Sequence, residues 1–263
     1  MPLSHERLCA EIVAQSELAR KIVDGADLTT AVPSCPGWNV GQLLRHLGGG
    51  QRWATEIVRT HATAPPDDTH FRDLARYANE DPAVLGPWLV ESATGLAAVL
   101  REAGPDTPMW SPVPGADTTA FYARRFAHET VVHRADAVLA LGAEFTLDEA
   151  VAIDAIDEWM ELGSLPIHFE INPRMRELLG PGRTIALRGT GVPEGVNANW
   201  LLDLTGEVIT WRRAAGPAAV TVGGPVTELV LLVYRRRPPG SGRVQVSGQA
   251  DLLDFWLDRV GFG

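Results

Sequence analysis

Cysteine is nearly absent from this chain, whose 263 residues include only Cys9 and Cys35. Two thiols are too few for a disulfide framework or a cysteine-based zinc site, and in a reducing cytosol both are expected to stay free. No base or cation adjoins Cys35 in sequence, so it reads as a packing residue rather than a nucleophile. Lysine is scarcer, with Lys21 the only one; the arginine bias points to a GC-rich genome and to no particular chemistry. Positive charge is short overall. A formal net charge of −10 and a pI near 5.2 argue against nucleic acid as a partner, because affinity for the phosphate backbone is built from clustered cations. No apolar run approaches the roughly 18 residues of a membrane span. The opening Met-Pro-Leu-Ser-His-Glu-Arg has no basic region leading into an apolar segment, so no secretory leader is expected. Internal repeats and low-complexity tracts are likewise missing. These absences lead to the expectation of a soluble cytoplasmic protein without a membrane partner.

What is present reads as two regions. Leu8, Ile12, Val13, Leu18 and Ile22 recur at helical spacing, with Gly25 as a stop. The segment Val32-Pro-Ser-Cys-Pro-Gly-Trp38 cannot continue a helix and fixes the approach to the next one. That second helix opens at Asn39, a good N-cap, and carries Val40, Leu43, Leu44, Leu47, Trp53, Ile57 and Val58 around Gly48-Gly49-Gly50. Three interior glycines cost about 2 to 3 kcal/mol relative to alanine, which implies close helix packing, room for a ligand, or a local break. Phe71 to Tyr77 reads as a short helix. A further helix starts at Asp81-Pro82 or Gly86-Pro87 and closes at Gly104; another opens at Asp117-Thr118-Thr119, runs from Ala120 to Leu141, and is ended by Gly142. Four main helices with short connectors describe a bundle. After Gly142 the pattern changes, which divides the chain into residues 1–143 and 144–263. Thr146-Leu-Asp-Glu149 reads as a capping box. Period-two segments follow at 184–188, 200–204, 208–212, 219–222 and 244–246, with helices starting at Pro225 and Gln249. The C-terminal region is expected to be a small α+β domain.

The chemistry concentrates in Arg124-Arg125-Phe126-Ala127-His128-Glu129-Thr130-Val131-Val132-His133-Arg134-Ala135-Asp136. Glu129 and His133 are four apart and share one helix face. His128 and His133 are five apart and diverge by about 140°, so the zinc-protease HExxH geometry is excluded. Glu129 and His133 are half of a metal site or a simple ion pair; the best third ligand is His46, itself either a core histidine or an inward ligand. Arg125 and Asp136 either support these ligands from behind or are surface charges.

In combination and order, Val32-Pro-Ser-Cys-Pro-Gly-Trp38 with Leu43-Leu-Arg-His46-Leu-Gly48, Arg124 to Asp136, and Leu253-Asp-Phe-Trp256-Leu257-Asp258-Arg259 resemble the mycothiol-dependent maleylpyruvate isomerase-like proteins. The resemblance implies a DinB-like four-helix bundle followed by an α+β domain similar to sterol carrier folds. It implies His46, Glu129 and His133 as ligands of a divalent metal, zinc foremost, with nickel, iron or manganese compatible with the same donors. It further implies mycothiol, the small thiol of actinobacteria, as co-substrate, attacking a small electrophile in an S-transferase or cis-trans isomerase reaction. Arg259 is the residue it offers to hold a substrate carboxylate, although Asp258 stands where a glycine is commoner. Two alternatives remain open at this point: a metal hydrolase that activates water, and a non-catalytic protein that binds a small apolar molecule.

Overall fold

The computed structural model describes residues 2–260, apart from the side chain of Arg76. Its chain divides between Phe145 and Thr146 into two compact units. The first is built on α1 (His5–Val23), α2 (Val40–Thr60), α4 (Pro82–Ala103) and α5 (Thr119–Ala140), with a single-turn α3 (Thr69–Arg72) between α2 and α4. Phe71 to Tyr77 is therefore two short pieces rather than one helix: α3 stops at Arg72, and a 3-10 turn covers Ala75–Tyr77. The four long helices pack as a bundle, α1 against α4 and α5, and α2 against α4 and α5.

Local chemistry sets the helix ends. Asn39 forms a reciprocal capping box with Gln42, each side chain bonding the other's backbone N–H at 2.9 and 3.0 Å, which satisfies two otherwise orphaned donors. Asp81 caps α4 through the N–H of Ala83 at 2.9 Å. Gly104 and Gly142 follow α4 and α5 with φ of 71° and 70°, a region where glycine carries no Cβ penalty.

The glycine triplet does not break α2. A Cβ on Gly48 would lie 2.3 Å from the Trp88 ring, and one on Gly49 would lie 2.3 Å from Cβ of Phe71. The missing side chains therefore let α4 and the α3 turn approach α2, and no ligand is needed to explain them. α4 also corrects the expectation about apolar runs: an 18-residue window within Pro82–Ala103 has mean hydropathy 1.5, long and apolar enough to cross a membrane. Within this fold it buries Leu85, Leu89, Leu96 and Leu100 against its bundle neighbours.

In the second unit, α6 (Glu149–Gly163) precedes the short α7 (His168–Ile171), and α8 (Val226–Val233) and α9 (Ala250–Arg259) follow strands β1 (Thr184–Thr190), β2 (Asn199–Asp203), β3 (Thr210–Arg212) and β4 (Val220–Pro225), with β5 (Gln245–Gly248) between the two helices. The cap of α6 is Asp148, whose carboxylate accepts from Ala150 and Val151, and not the Thr146 of the expected capping box. The sheet order is β3-β2-β1-β4-β5. β2 and β3 form the expected antiparallel hairpin, whereas β1 and β4 pair in parallel, Ile185 opposite Val220. Trp200, Trp159 and Trp256 anchor the core, the last two edge to face at 5.1 Å. The Trp200 indole donates to Asp157, which Arg213 grips with two bonds of 2.7 Å.

Candidate metal centre

Helix α5 supplies Glu129 and His133, one turn apart, and α2 supplies His46 from the facing wall of the bundle. His133 Nε2 lies 3.0 Å from Oε1 of Glu129, and His46 Nε2 lies 3.8 Å from the same oxygen. The two imidazoles meet edge to face, with centroids 5.2 Å apart. One donor atom from each residue falls within 4.8 Å of the others. Sequence separation hides this meeting of α2 and α5, which their packing side by side in the bundle produces.

Each ligand candidate is held from behind. His46 Nδ1 donates to the backbone carbonyl of Phe71 at 3.0 Å. A carbonyl can only accept, so this bond puts a proton on Nδ1 and turns Nε2 toward Glu129. The ring also packs against Trp38 and Phe71, at 4.8 and 5.7 Å. His133 Nδ1 donates to Oδ2 of Asp136 at 2.9 Å, and Asp136 is completely buried. Glu129 is divided: Oε1 faces the histidines, while Arg125 donates to Oε2 at 2.9 Å. Asp136 and Arg125 thus touch the ligands from behind, and for Asp136 the alternative of a surface charge is excluded by its burial.

Charge follows from the same contacts. Burial would push the Glu129 carboxyl up, but the charge and hydrogen bond of His133, with His46 and Arg125 in support, hold it well below the usual carboxylate range. Burial would likewise push the His133 imidazole down, yet Glu129, Asp136 and Cys35 raise it well above its usual value. Without metal, Glu129 and His133 are an ion pair.

The donor set suits a divalent transition metal. Two imidazole nitrogens and one carboxylate oxygen are acceptable to zinc, iron, nickel or manganese. With metal–ligand bonds of about 2.1 Å, neighbouring tetrahedral donors lie about 3.4 Å apart. The observed 3.0 and 3.8 Å separations bracket that spacing. Three protein ligands would leave a fourth position, and the solvent-facing side is that of Glu129, whose side chain is 32% exposed against 9% for His133.

The remaining candidates have partners of their own. Arg259 belongs to the second unit and ends α9, where its Nε donates to Glu177 at 2.8 Å, its Nη1 donates to Asp258 at 3.2 Å, and its guanidinium lies 3.7 Å from the Phe255 ring. Cys35 is half-buried, 3.7 Å from Asp136 Oδ2. Ser34, part of the Val32–Trp38 segment but given no role by the sequence, donates to Asp136 Oδ1 at 2.6 Å across 102 positions of chain.

Comparison with known proteins gives this geometry a family. A crystal structure of the mycothiol-dependent maleylpyruvate isomerase superposes with a TM-score of 0.60 at 15% identity, covering 93% of each chain. The structure of a histidine-to-alanine mutant of that isomerase gives 0.59 at the same identity and coverage. At this identity the likeness is one of fold, a helical N-terminal domain followed by an α+β domain. No curated protein matches the sequence. Residues 9–138 match the mycothiol maleylpyruvate isomerase N-terminal domain, a span that contains His46, Glu129, His133 and Asp136, and this part of the chain is a domain of that family.

Proposed function

We propose that His46, Glu129 and His133 bind one divalent metal ion, zinc foremost, and that the protein uses the site to activate a low-molecular-weight thiol, mycothiol, against a small electrophile. The observation that carries this reading is the arrangement of the two histidines. Each has its Nδ1 committed to a backbone or carboxylate acceptor, and each presents Nε2 to the same Glu129 oxygen. An ion pair needs one imidazole, so this arrangement favours the metal reading.

When bound there, the metal would supply Lewis acidity, lowering the pKa of a thiol that reaches the open position. A free thiol with a pKa near 8.5 is only a few per cent ionised at neutral pH, so full ionisation is worth about 2 kcal/mol. The protein's own residues do the rest. Phe71 and Asp136 fix the ring orientations, Arg125 keeps Glu129 Oε2 engaged, and Trp38 and Phe71 keep water from the sides of His46. Addition of sulfur to one carbon of an activated double bond, rotation about the resulting single bond and expulsion of sulfur isomerise the substrate with the thiol regenerated. Displacement of a leaving group instead keeps the new C–S bond and makes the protein an S-transferase. Arg259 is the residue offered for a substrate carboxylate; its present partners Glu177 and Asp258 would give way to it.

The test is elemental analysis of untagged protein, wild type beside His46→Ala and His133→Ala, followed by mycothiol titration of the cobalt-substituted form. The expected result is about one metal per chain, lost in both variants, with a cobalt spectrum that the thiol perturbs. Metal retained by both variants, or a cobalt spectrum indifferent to thiol, would overturn the assignment. Turnover that proceeds equally without thiol would replace it with the hydrolase reading.

A further inference from the structure

The turn between α1 and α2 touches both histidines of the candidate centre by different routes. Trp38 packs on the ring of His46, and Ser34 and Cys35 reach Asp136, the carboxylate behind His133. This turn is a closed platform. Val32 and Trp38 are joined by a 2.9 Å backbone bond, Cys35 N–H bonds Val32 at 3.0 Å, and Trp38 N–H bonds Cys35 at 3.0 Å. Gly37 takes φ 87° to close the loop, and Pro33 and Pro36 each fix one dihedral.

We infer that Ser34 is a positioning residue for the metal centre: by holding Oδ1 of Asp136 it fixes the carboxylate that orients His133. This rests on the metal reading above. The carboxylate of Asp136 has two hydrogen-bonding ends with separate tasks. Oδ2 takes the Nδ1 proton of His133 at 2.9 Å, and Oδ1 takes the Ser34 hydroxyl at 2.6 Å. The terminal torsion of an aspartate is broad and weakly restrained by itself. A bond at Oδ2 alone restrains one end of the carboxylate, whereas bonds at both oxygens restrain its plane. The short Ser34 bond has the length expected of a hydroxyl on an ionised carboxylate. It also offsets part of the cost of burying that charge completely. Cys35 adds a longer, weaker contact to the oxygen His133 uses, so the discriminating bond is that of Ser34. The consequence is a centre of three tiers: the turn holds Asp136, Asp136 holds the His133 ring, and the ring offers Nε2.

Cobalt(II) titration of the full-length protein, read by its visible absorption spectrum and by competition with zinc, tests this with Ser34→Ala, Ser34→Thr and Asp136→Asn. Changes at partners behind a metal ligand cost about 10- to 100-fold in affinity. Asp136→Asn is expected in that range, and Ser34→Ala at its lower end, about 10-fold, with a shifted cobalt spectrum. Ser34→Thr, which restores the hydroxyl, is expected to recover both affinity and spectrum. Ser34→Ala with the affinity and spectrum of wild type would overturn the inference. So would a loss in Ser34→Ala that Ser34→Thr does not repair, since that would be loosening of the turn rather than loss of the bond. Wild-type protein that binds no cobalt would instead remove the metal reading itself, an outcome distinct from both.

Discussion

In the α+β unit one apolar cluster runs without interruption from Ile156 and Trp159 on α6, through Leu187 and Trp200 on the sheet, to Trp256 on α9. Among the described residues of the bundle there are two, one around Ile12, Ile57 and Leu96 and the other around Leu44, Leu47 and Leu89. The turns between them bury polar groups: Gln51 donates to Ser16 and Thr130, both at 3.2 Å, and Gln15 donates to Glu11 at 2.8 Å. Glu129, His133 and Asp136 lie in the corresponding middle turns of α5, while on α2 His46 stands beside Leu43, Leu44 and Leu47 of the second cluster. A continuous core is a device for stability, because every buried side chain there contributes transfer and packing energy. An interrupted core gives up some of that energy, and polar groups kept inside must find partners. On α5 the interruption is where the candidate metal ligands sit.

The contrast is open to test in several ways. Trp200→Ala in the continuous core is expected to cost about 3 to 5 kcal/mol, measured by guanidinium denaturation; a loss below about 1 kcal/mol would deny that core its role. Gly49→Ala acts on the interrupted side. It forces Phe71 away from α2, with an overpacking cost of about 1 to 3 kcal/mol. Because the Phe71 carbonyl orients His46, metal affinity should also fall about 10-fold; an unchanged zinc affinity would show that His46 does not depend on Phe71.

Proton uptake sharpens the comparison further. His133 is surrounded by Glu129, Asp136, Cys35 and His46, and in the metal-free protein its imidazole is held well above its usual value. The stabilisation this gives is complete below the ordinary imidazole pKa of about 6.5 and is lost as pH rises through the raised folded value. A metal-bound imidazole must be neutral, so loading at pH 7 should release one proton from His133, while the already ionised Glu129 releases none. Calorimetry in two buffers of different ionisation enthalpy would read this as buffer-dependent heat, and identical heats would contradict it. Thiol reactivity gives a smaller signal: Cys9 is fully buried, and burial pushes its thiol up to about 11. A thiol-specific chromogenic disulfide should label Cys35 first and Cys9 only on unfolding. The mildest case is Gly95→Ala on α4, where an added Cβ meets open space; a gain of up to about 1 kcal/mol is expected, and a loss would place an unrecognised close contact there.

Legibility from sequence follows the range of each interaction. Glu129, His133 and Asp136 share one helix, so their spacing alone places them on adjacent positions of a face. Asn39 and Asp81 cap their helices through contacts two or three residues away and are legible for the same reason. His46 is the best third ligand the sequence offers, but only the family resemblance separates it from a core histidine, because no local rule says which face of α2 meets α5. Ser34 was not legible, since its partner is 102 positions distant. Gly48 and Gly49 were ambiguous because the space they leave is filled by Trp88 and Phe71 from other segments. The parallel pairing of β1 with β4 was missed for a related reason: strand periodicity reports which face is buried and carries no information about the neighbour.

That pairing also sets an order of assembly for the α+β unit. The most local contact in its sheet, the β2–β3 hairpin, lies at one edge, and the least local, Ile185 with Val220, lies at the centre. Closing the hairpin costs little chain entropy, whereas joining β1 to β4 must first close the loop that contains the hairpin. The sheet therefore grows from a pre-formed edge, and its middle is completed only when β4 arrives, which makes the step that seals the Trp200 core a late event in folding.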